Sequence, residues 1–117
     1  MGPDFGAFIE AQCAVWPHAG RPADFKQPVV SDKPVLLLSG QYDPVTPPRY
    51  ADHVAKTLLN SRHLVAKGQG HTPAGVGCMP RLLKEFIEKL QPKELDASCL
   101  EPLGDTPFFL DYQGPAP

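Results

Sequence analysis

Hydrophobic and polar positions follow two spacings along this chain, and each spacing predicts one kind of element. Residues 35–38, Val-Leu-Leu-Leu, are apolar at every position, which is typical of a parallel strand covered on both faces. Residues 63–66, His-Leu-Val-Ala, predict a second short strand. Between them, apolar residues recur at helical spacing from Thr46, as N-cap, and Pro47, as the first helical residue, to about Asn60. The pattern therefore predicts a strand, a helix and a strand.

Two further helices are predicted from the same helical spacing. One opens at Met79, with Pro80 in the first turn, and runs to Leu90. The other is a short helix over residues 4–14. The order strand, helix, strand, helix is that of a parallel sheet, so the predicted fold class is α/β with parallel strands. Two such strands are too few to cover their own faces, and the pattern therefore predicts a fragment of a larger α/β domain.

The length of the chain, 117 residues, allows one domain and excludes a second. We expect residues 1–34 to be a connecting segment with a possible short helix, residues 35–91 a strand-helix-strand-helix core, and residues 92–117 a proline-rich tail. Proline is the unusual component, at 15 residues, against an average usage of about 5%.

Charge and composition narrow the classes of partner. Eleven basic and 13 acidic residues give a formal net charge of -2, which favours neither nucleic acid nor an anionic membrane surface. No apolar run approaches the roughly 20 residues of a membrane span, and no signal peptide is visible at residues 1–4. The cysteines and histidines show no zinc spacing, so we expect neither a metal nor a cofactor.

Asp43 and His71 follow the two predicted strands, each by a few residues. The carboxyl ends of parallel strands meet at one edge of a sheet, and neighbouring strands lie about 4.8 Å apart, so these two side chains can meet. A carboxylate that accepts Nδ1–H fixes the imidazole tautomer and leaves Nε2 free as a general base. A plainer interpretation also stands, since Asp-Pro commonly forms a turn and a histidine in a glycine-rich loop is commonly solvated.

The segment PVLLLSGQYDPVTPPRYADHVAKTLLNSRHLVAKGQGH resembles the C-terminal part of α/β-hydrolases of the tripeptidyl-aminopeptidase-like (TAP-like) branch, which is related to proline iminopeptidases. In that family one strand delivers G-x-x-D-P-V-T-P and a later strand delivers G-x-G-H. The resemblance extends through CMPRLLKEFI and covers roughly residues 13–100. It implies a Ser–His–Asp triad with Asp43 as the orienting acid and His71 as the base. The parent protein would then be a serine hydrolase that cleaves peptides from the N-terminus, or a small amide or ester.

The chain departs from that family in having no Gly-x-Ser-x-Gly nucleophile elbow. Its serines lack the glycine frame, and Ser39 is interpreted as structural. We expect the chain alone to hydrolyse nothing appreciable, because a base without a nucleophile has nothing to activate. The expected partner is the N-terminal part of the same hydrolase, which would supply the nucleophile and the oxyanion donors.

The resemblance also implies a disulfide between Cys78 and Cys99, where that family commonly has cysteines. A helix and a returning loop can bring the two together, although free buried cysteines are ordinary as well. With such a bond the parent would be exported, to the periplasm or the extracellular space. Cys13 would be left over, with a partner in the absent N-terminal part.

A function of another class is also compatible with the sequence: a non-catalytic α/β module for binding or self-association, which would use the exposed sheet edge. With either function, the missing neighbours leave an open edge and apolar faces. We therefore expect the isolated chain to form a homodimer.

Overall fold

The computed structural model of the protein describes residues 3–105, 107–112 and 114. Its helices and strands are α1 (Pro3–Val15), β1 (Val35–Gly40), α2 (Pro48–Ala55), β2 (Ser61–Ala66) and α3 (Met79–Lys89). Single turns of 3₁₀-helix lie at Pro73–Gly75, Pro92–Glu94 and Ser98–Leu100. The mixed α/β class predicted from the sequence is confirmed. In the described ranges, helices are too short or too polar to span a bilayer.

The sheet pairs β1 with β2 in parallel. Its register runs from Val35 opposite Ser61 to Gly40 opposite Ala66. Because both strands end at the same level, the loops that follow them leave from one edge of the sheet. This edge is where the sequence placed Asp43 and His71.

The hydrophobic core lies between β2, α3 and the segment that follows α3. Met79 and Leu82, which are on one face of α3, are fully buried. Truncating Leu82 to alanine at such a position typically destabilises a protein by about 2–5 kcal/mol. The buried cluster consists of Leu64, Ala66, Met79, Leu82, Leu95 and Leu100. The core therefore holds β2 and α3 together, and β1 borders it with half-buried leucines.

Helix α2 ends earlier than the sequence predicts. The apolar spacing predicts a helix to about Asn60, but the helix stops at Ala55. The chain beyond it turns to form a parallel bridge between Leu58 and Ser31. The Leu59 N–H donates to the Ser31 carbonyl at 2.9 Å. This tertiary pairing buries Leu58 and takes the place of the last predicted helical turn. Helical spacing in the sequence does not reveal it.

Helix α1 is present where the sequence predicts it. Its large apolar side chains Phe5, Phe8 and Ile9 are exposed, as is Trp16 just beyond its end. The core cluster contains none of these residues. Within the described part of the chain, α1 is thus an apolar helix that remains open to solvent.

Candidate functional site

The two loops that leave the sheet edge carry Asp43 and His71 into contact. The Asp43 Oδ2 and the His71 Nδ1 are 2.8 Å apart. The Asp43 side chain is 3% exposed, whereas the His71 side chain is 51% exposed. An ionised carboxylate only accepts hydrogen bonds, so Nδ1 carries the proton and donates it. The other ring nitrogen, Nε2, is then unprotonated in the neutral imidazole and has the form of a general base.

The prolines of the turn after β1 determine which amides are available to Asp43. Three of the five residues 44–48 are prolines and have no N–H. The two amides that remain both donate to Asp43 Oδ1, from Val45 at 2.8 Å and from Thr46 at 2.9 Å. The turn is therefore built around the carboxylate, and the backbone holds it in a fixed orientation.

The hydroxyl of Thr46 adds a fourth hydrogen bond. Its Oγ1 donates to Asp43 Oδ2 at 2.8 Å. The sequence predicts Thr46 as the N-cap of α2, and this prediction is wrong. The residue before α2 is Pro47, whose side chain cannot accept a hydrogen bond, and the threonine hydroxyl donates to the carboxylate.

The charge of Asp43 is stabilised by these contacts. Burial on its own would raise the pKa of the Asp43 carboxyl. The hydrogen bonds from the Thr46 amide, the His71 ring, the Thr46 hydroxyl and the Val45 amide outweigh burial and hold that pKa well below its ordinary value. Asp43 is consequently an anion throughout the physiological pH range.

Two hydrogen bonds donated by backbone amides join the His71 loop to the loop that carries Asp43. The Tyr42 N–H donates to the Gln69 carbonyl at 2.9 Å, and the Gly68 N–H donates to the Gln41 side-chain Oε1 at 2.9 Å. Gly68 has a φ of +67°, in the left-handed region that glycine adopts without steric penalty. The exit segments of the two strands thus form one unit.

The His71 loop passes close to Gly40, the last residue of β1. A Cβ added there would collide with backbone atoms of Gln69 and Gly70, just before the histidine. Only a residue without a side chain allows the loop to pass this near to the strand end.

Thr72, which follows His71, adopts an unusual conformation. Its φ of 65° and ψ of 63° lie in the left-handed region, where a β-branched residue is a genuine outlier. Such a conformation typically costs about 1–2 kcal/mol. Thr72 leads directly into the turn at Pro73–Gly75, whose first residue is buried.

A second Ser–His–Asp arrangement joins α2 to the sheet. The Ser39 Oγ and the His63 Nε2 are 2.8 Å apart, and the His63 Nδ1 and the Asp52 Oδ1 are 2.9 Å apart. Ser39 is only 4% exposed, so a substrate carbonyl has no approach to its hydroxyl. The interpretation of Ser39 as structural remains the better one, and this chain of bonds is a clamp between α2, β1 and β2.

Sequence reasoning did not find this clamp. A signal was nevertheless present: in the strand register Ser39 lies opposite Val65, two positions beyond His63, so the two polar side chains share one face of the sheet. The register itself had to be known before that signal could be used.

The structure joins Cys78 and Cys99 in a disulfide, with Cα atoms 6.2 Å apart. The bond fastens the segment after α3 to the start of that helix. Cys13 is a free, exposed thiol.

The C-terminal segment returns to the edge of the sheet that carries Asp43. Asp105 hydrogen-bonds to Tyr42, and this bond and the negative charge of the carboxylate raise the pKa of the tyrosine hydroxyl.

Comparison with known proteins gives one family. A model of the family described as TAP-like protein matches residues 4–99. No curated protein and no solved structure matches the chain. The matched region includes both strands, both loops and both disulfide cysteines.

Proposed function

Because the chain belongs to the TAP-like family of α/β-hydrolases, we propose that Asp43 and His71 are the acid and the base of a Ser–His–Asp triad. The serine would come from the N-terminal part of the same hydrolase. One observation carries this proposal: a buried, ionised carboxylate 2.8 Å from Nδ1 of an imidazole that is half exposed. The half-exposed ring is open to a nucleophile supplied by the rest of the hydrolase.

In the proposed reaction the two residues have separate roles. The Nε2 of His71 takes the proton from the serine hydroxyl as it attacks the substrate carbonyl, and later gives it to the leaving group. Asp43 retains its hydrogen bond to Nδ1–H and stabilises the imidazolium that forms. It stays ionised, since four hydrogen bonds favour its charged form.

The substrate in this proposal is a peptide cleaved from its N-terminus, or a small amide or ester. The proposed location of the parent enzyme is outside the cytoplasm, because the disulfide between Cys78 and Cys99 is of the kind that persists in oxidising compartments.

The test compares the chain alone with the chain joined to the N-terminal part of the hydrolase. A serine-directed fluorophosphonate probe should leave the isolated chain unlabelled. The joined protein should hydrolyse aminoacyl p-nitroanilides or p-nitrophenyl esters, and the preferred substrate would separate a peptidase from an esterase. Asp43→Asn should lower kcat by about ten-thousand-fold.

A matched control keeps this test specific. His53 lies on the exposed face of α2, and His53→Asn should leave hydrolysis unchanged. Activity that survives His71→Asn as well as it survives His53→Asn would contradict the proposal.

The second candidate function is a non-catalytic module that self-associates. The exposed apolar side chains of α1, including Phe5 and Phe8, favour it. In this case the joined protein would fold and hydrolyse nothing, and light scattering of the isolated chain would show a dimer. A clean monomer at high concentration would argue against self-association.

A further inference from the structure

Thr46 contacts both members of the proposed pair. Its Oγ1 lies 2.8 Å from Asp43 Oδ2 and 3.5 Å from His71 Nδ1. With the hydroxyl donating to the carboxylate and Nδ1–H donating to the same oxygen, the 3.5 Å separation is the distance between two donors that converge on one acceptor. The threonine is otherwise exposed and does not cap α2.

The arrangement of donors around Asp43 leaves one position for the imidazole. A carboxylate has about four lone-pair sites, two on each oxygen. The amides of Val45 and Thr46 occupy both sites of Oδ1. The Thr46 hydroxyl occupies one site of Oδ2, and His71 takes the last. Without the hydroxyl, Oδ2 would offer two sites, and the ring could move between them.

We propose that Thr46 is a positioning residue, whose hydroxyl blocks one lone pair of Asp43 Oδ2 and so confines His71 Nδ1 to the other. This inference rests on the proposed function, because the orientation of the ring matters when Nε2 must face a nucleophile. Thr46 acts through Asp43 and touches no reacting atom. The last torsion of an aspartate side chain is broad, so the Thr46 hydroxyl adds a third local donor to the two amides that orient the carboxylate.

Two substitutions separate the hydroxyl from the shape of the side chain. Thr46→Val retains the β-branched shape and the backbone N–H but removes the hydroxyl. Thr46→Ser retains the hydroxyl and loses the methyl group. The two variants therefore differ in the one group that the proposal concerns, and Thr46→Ala serves as a second hydroxyl-free variant if valine disturbs the turn.

Nuclear magnetic resonance of the full 117-residue chain gives the first readout. In the unchanged protein and in Thr46→Ser, the His71 Nδ1 proton should give one sharp downfield resonance. In Thr46→Val and Thr46→Ala, the resonance should broaden or split, and its exchange with water should become faster. Equal spectra for valine and serine variants would overturn the proposal.

The same spectra separate this inference from the proposed function. Asp43→Asn should remove the downfield resonance; if the unchanged protein lacks that resonance too, the Asp43–His71 pair itself is refuted. If the pair is present and the valine variant looks like the unchanged protein, only the role of Thr46 fails.

Kinetics of the joined hydrolase give the second readout. Misplacing a catalytic group by about 1 Å can slow a reaction by about a hundredfold, so Thr46→Val should lower kcat by about 10- to 100-fold and leave KM unchanged. Thr46→Ser should restore kcat. A role confined to stability would lower the yield of folded enzyme but would not produce this split between kcat and KM.

Discussion

Gly40→Ala is the substitution that most directly tests how the two loops are held together. The added Cβ would lie 2.6 Å from the Gln69 carbonyl oxygen and 2.8 Å from the Gly70 carbonyl carbon, whereas ordinary contacts begin at 3.4 Å. The Gly70 carbonyl oxygen would lie closer still, so the loop would have to withdraw by more than 0.8 Å. The colliding atoms belong to backbone, so no side chain can rotate to make room.

The withdrawal has a calculable effect on the site. The Tyr42 N–H to Gln69 carbonyl bond, 2.9 Å long, would stretch beyond the range of a good hydrogen bond. His71 would move with the loop, away from Asp43. Overpacking of this kind usually destabilises a protein by about 1–3 kcal/mol. We expect a lower urea midpoint with an unchanged m-value, together with loss of the downfield His71 Nδ1 proton.

Gly70→Ala is the matched control for this substitution. It lies beside His71 in the same loop, but a Cβ there meets nothing within 4 Å, and its φ lies outside the left-handed region. It should change stability little and leave the histidine resonance in place. If the two alanine variants behave alike, close packing at Gly40 is not what holds the loops together.

Three other predictions concern stability. The pKa of Asp43 is lower in the folded chain than in the unfolded chain, so Asp43 stabilises the fold fully above about pH 5. This stabilisation is lost as the pH falls from the unfolded pKa towards the folded pKa, by up to about tenfold in the folding equilibrium per pH unit. Urea midpoints measured against pH should show this dependence, and Asp43→Asn should flatten it. Ser39→Ala leaves Nε2 of the part-buried His63 without its partner and should lower the free energy of unfolding in urea by about 1–3 kcal/mol; no loss would refute the clamp. The disulfide closes a loop with a sequence separation of 21, so removing it should lower the free energy of unfolding by about 3 kcal/mol. Calorimetry of Cys99→Ser measures this loss, and an unchanged melting temperature would contradict it.

The sequence was sufficient for those elements whose signals are local and periodic. The apolar run at 35–38 and the helical spacing after Met79 predicted β1 and α3 close to their observed bounds. The meeting of Asp43 and His71 followed from a general property of parallel sheets, that the ends of the strands share an edge.

What the sequence did not reveal depended on contacts between distant or competing groups. The end of α2 is determined by the bridge to Ser31, which lies far away in the chain. The Thr46 hydroxyl could cap the helix or donate to Asp43, and only the structure shows that its acceptor is Asp43. The Ser39–His63 contact depends on a strand register that periodicity alone does not give.

The turn around Asp43 also bears on how the chain folds. Three of the four donors to the carboxylate come from Val45 and Thr46, within three positions of it. Contacts so close in sequence close small loops and form quickly, whereas His71 is 28 positions away and must wait for the two strands to pair. We therefore expect the acceptor to take its shape before the imidazole arrives, so that joining the two requires little rearrangement of the acid.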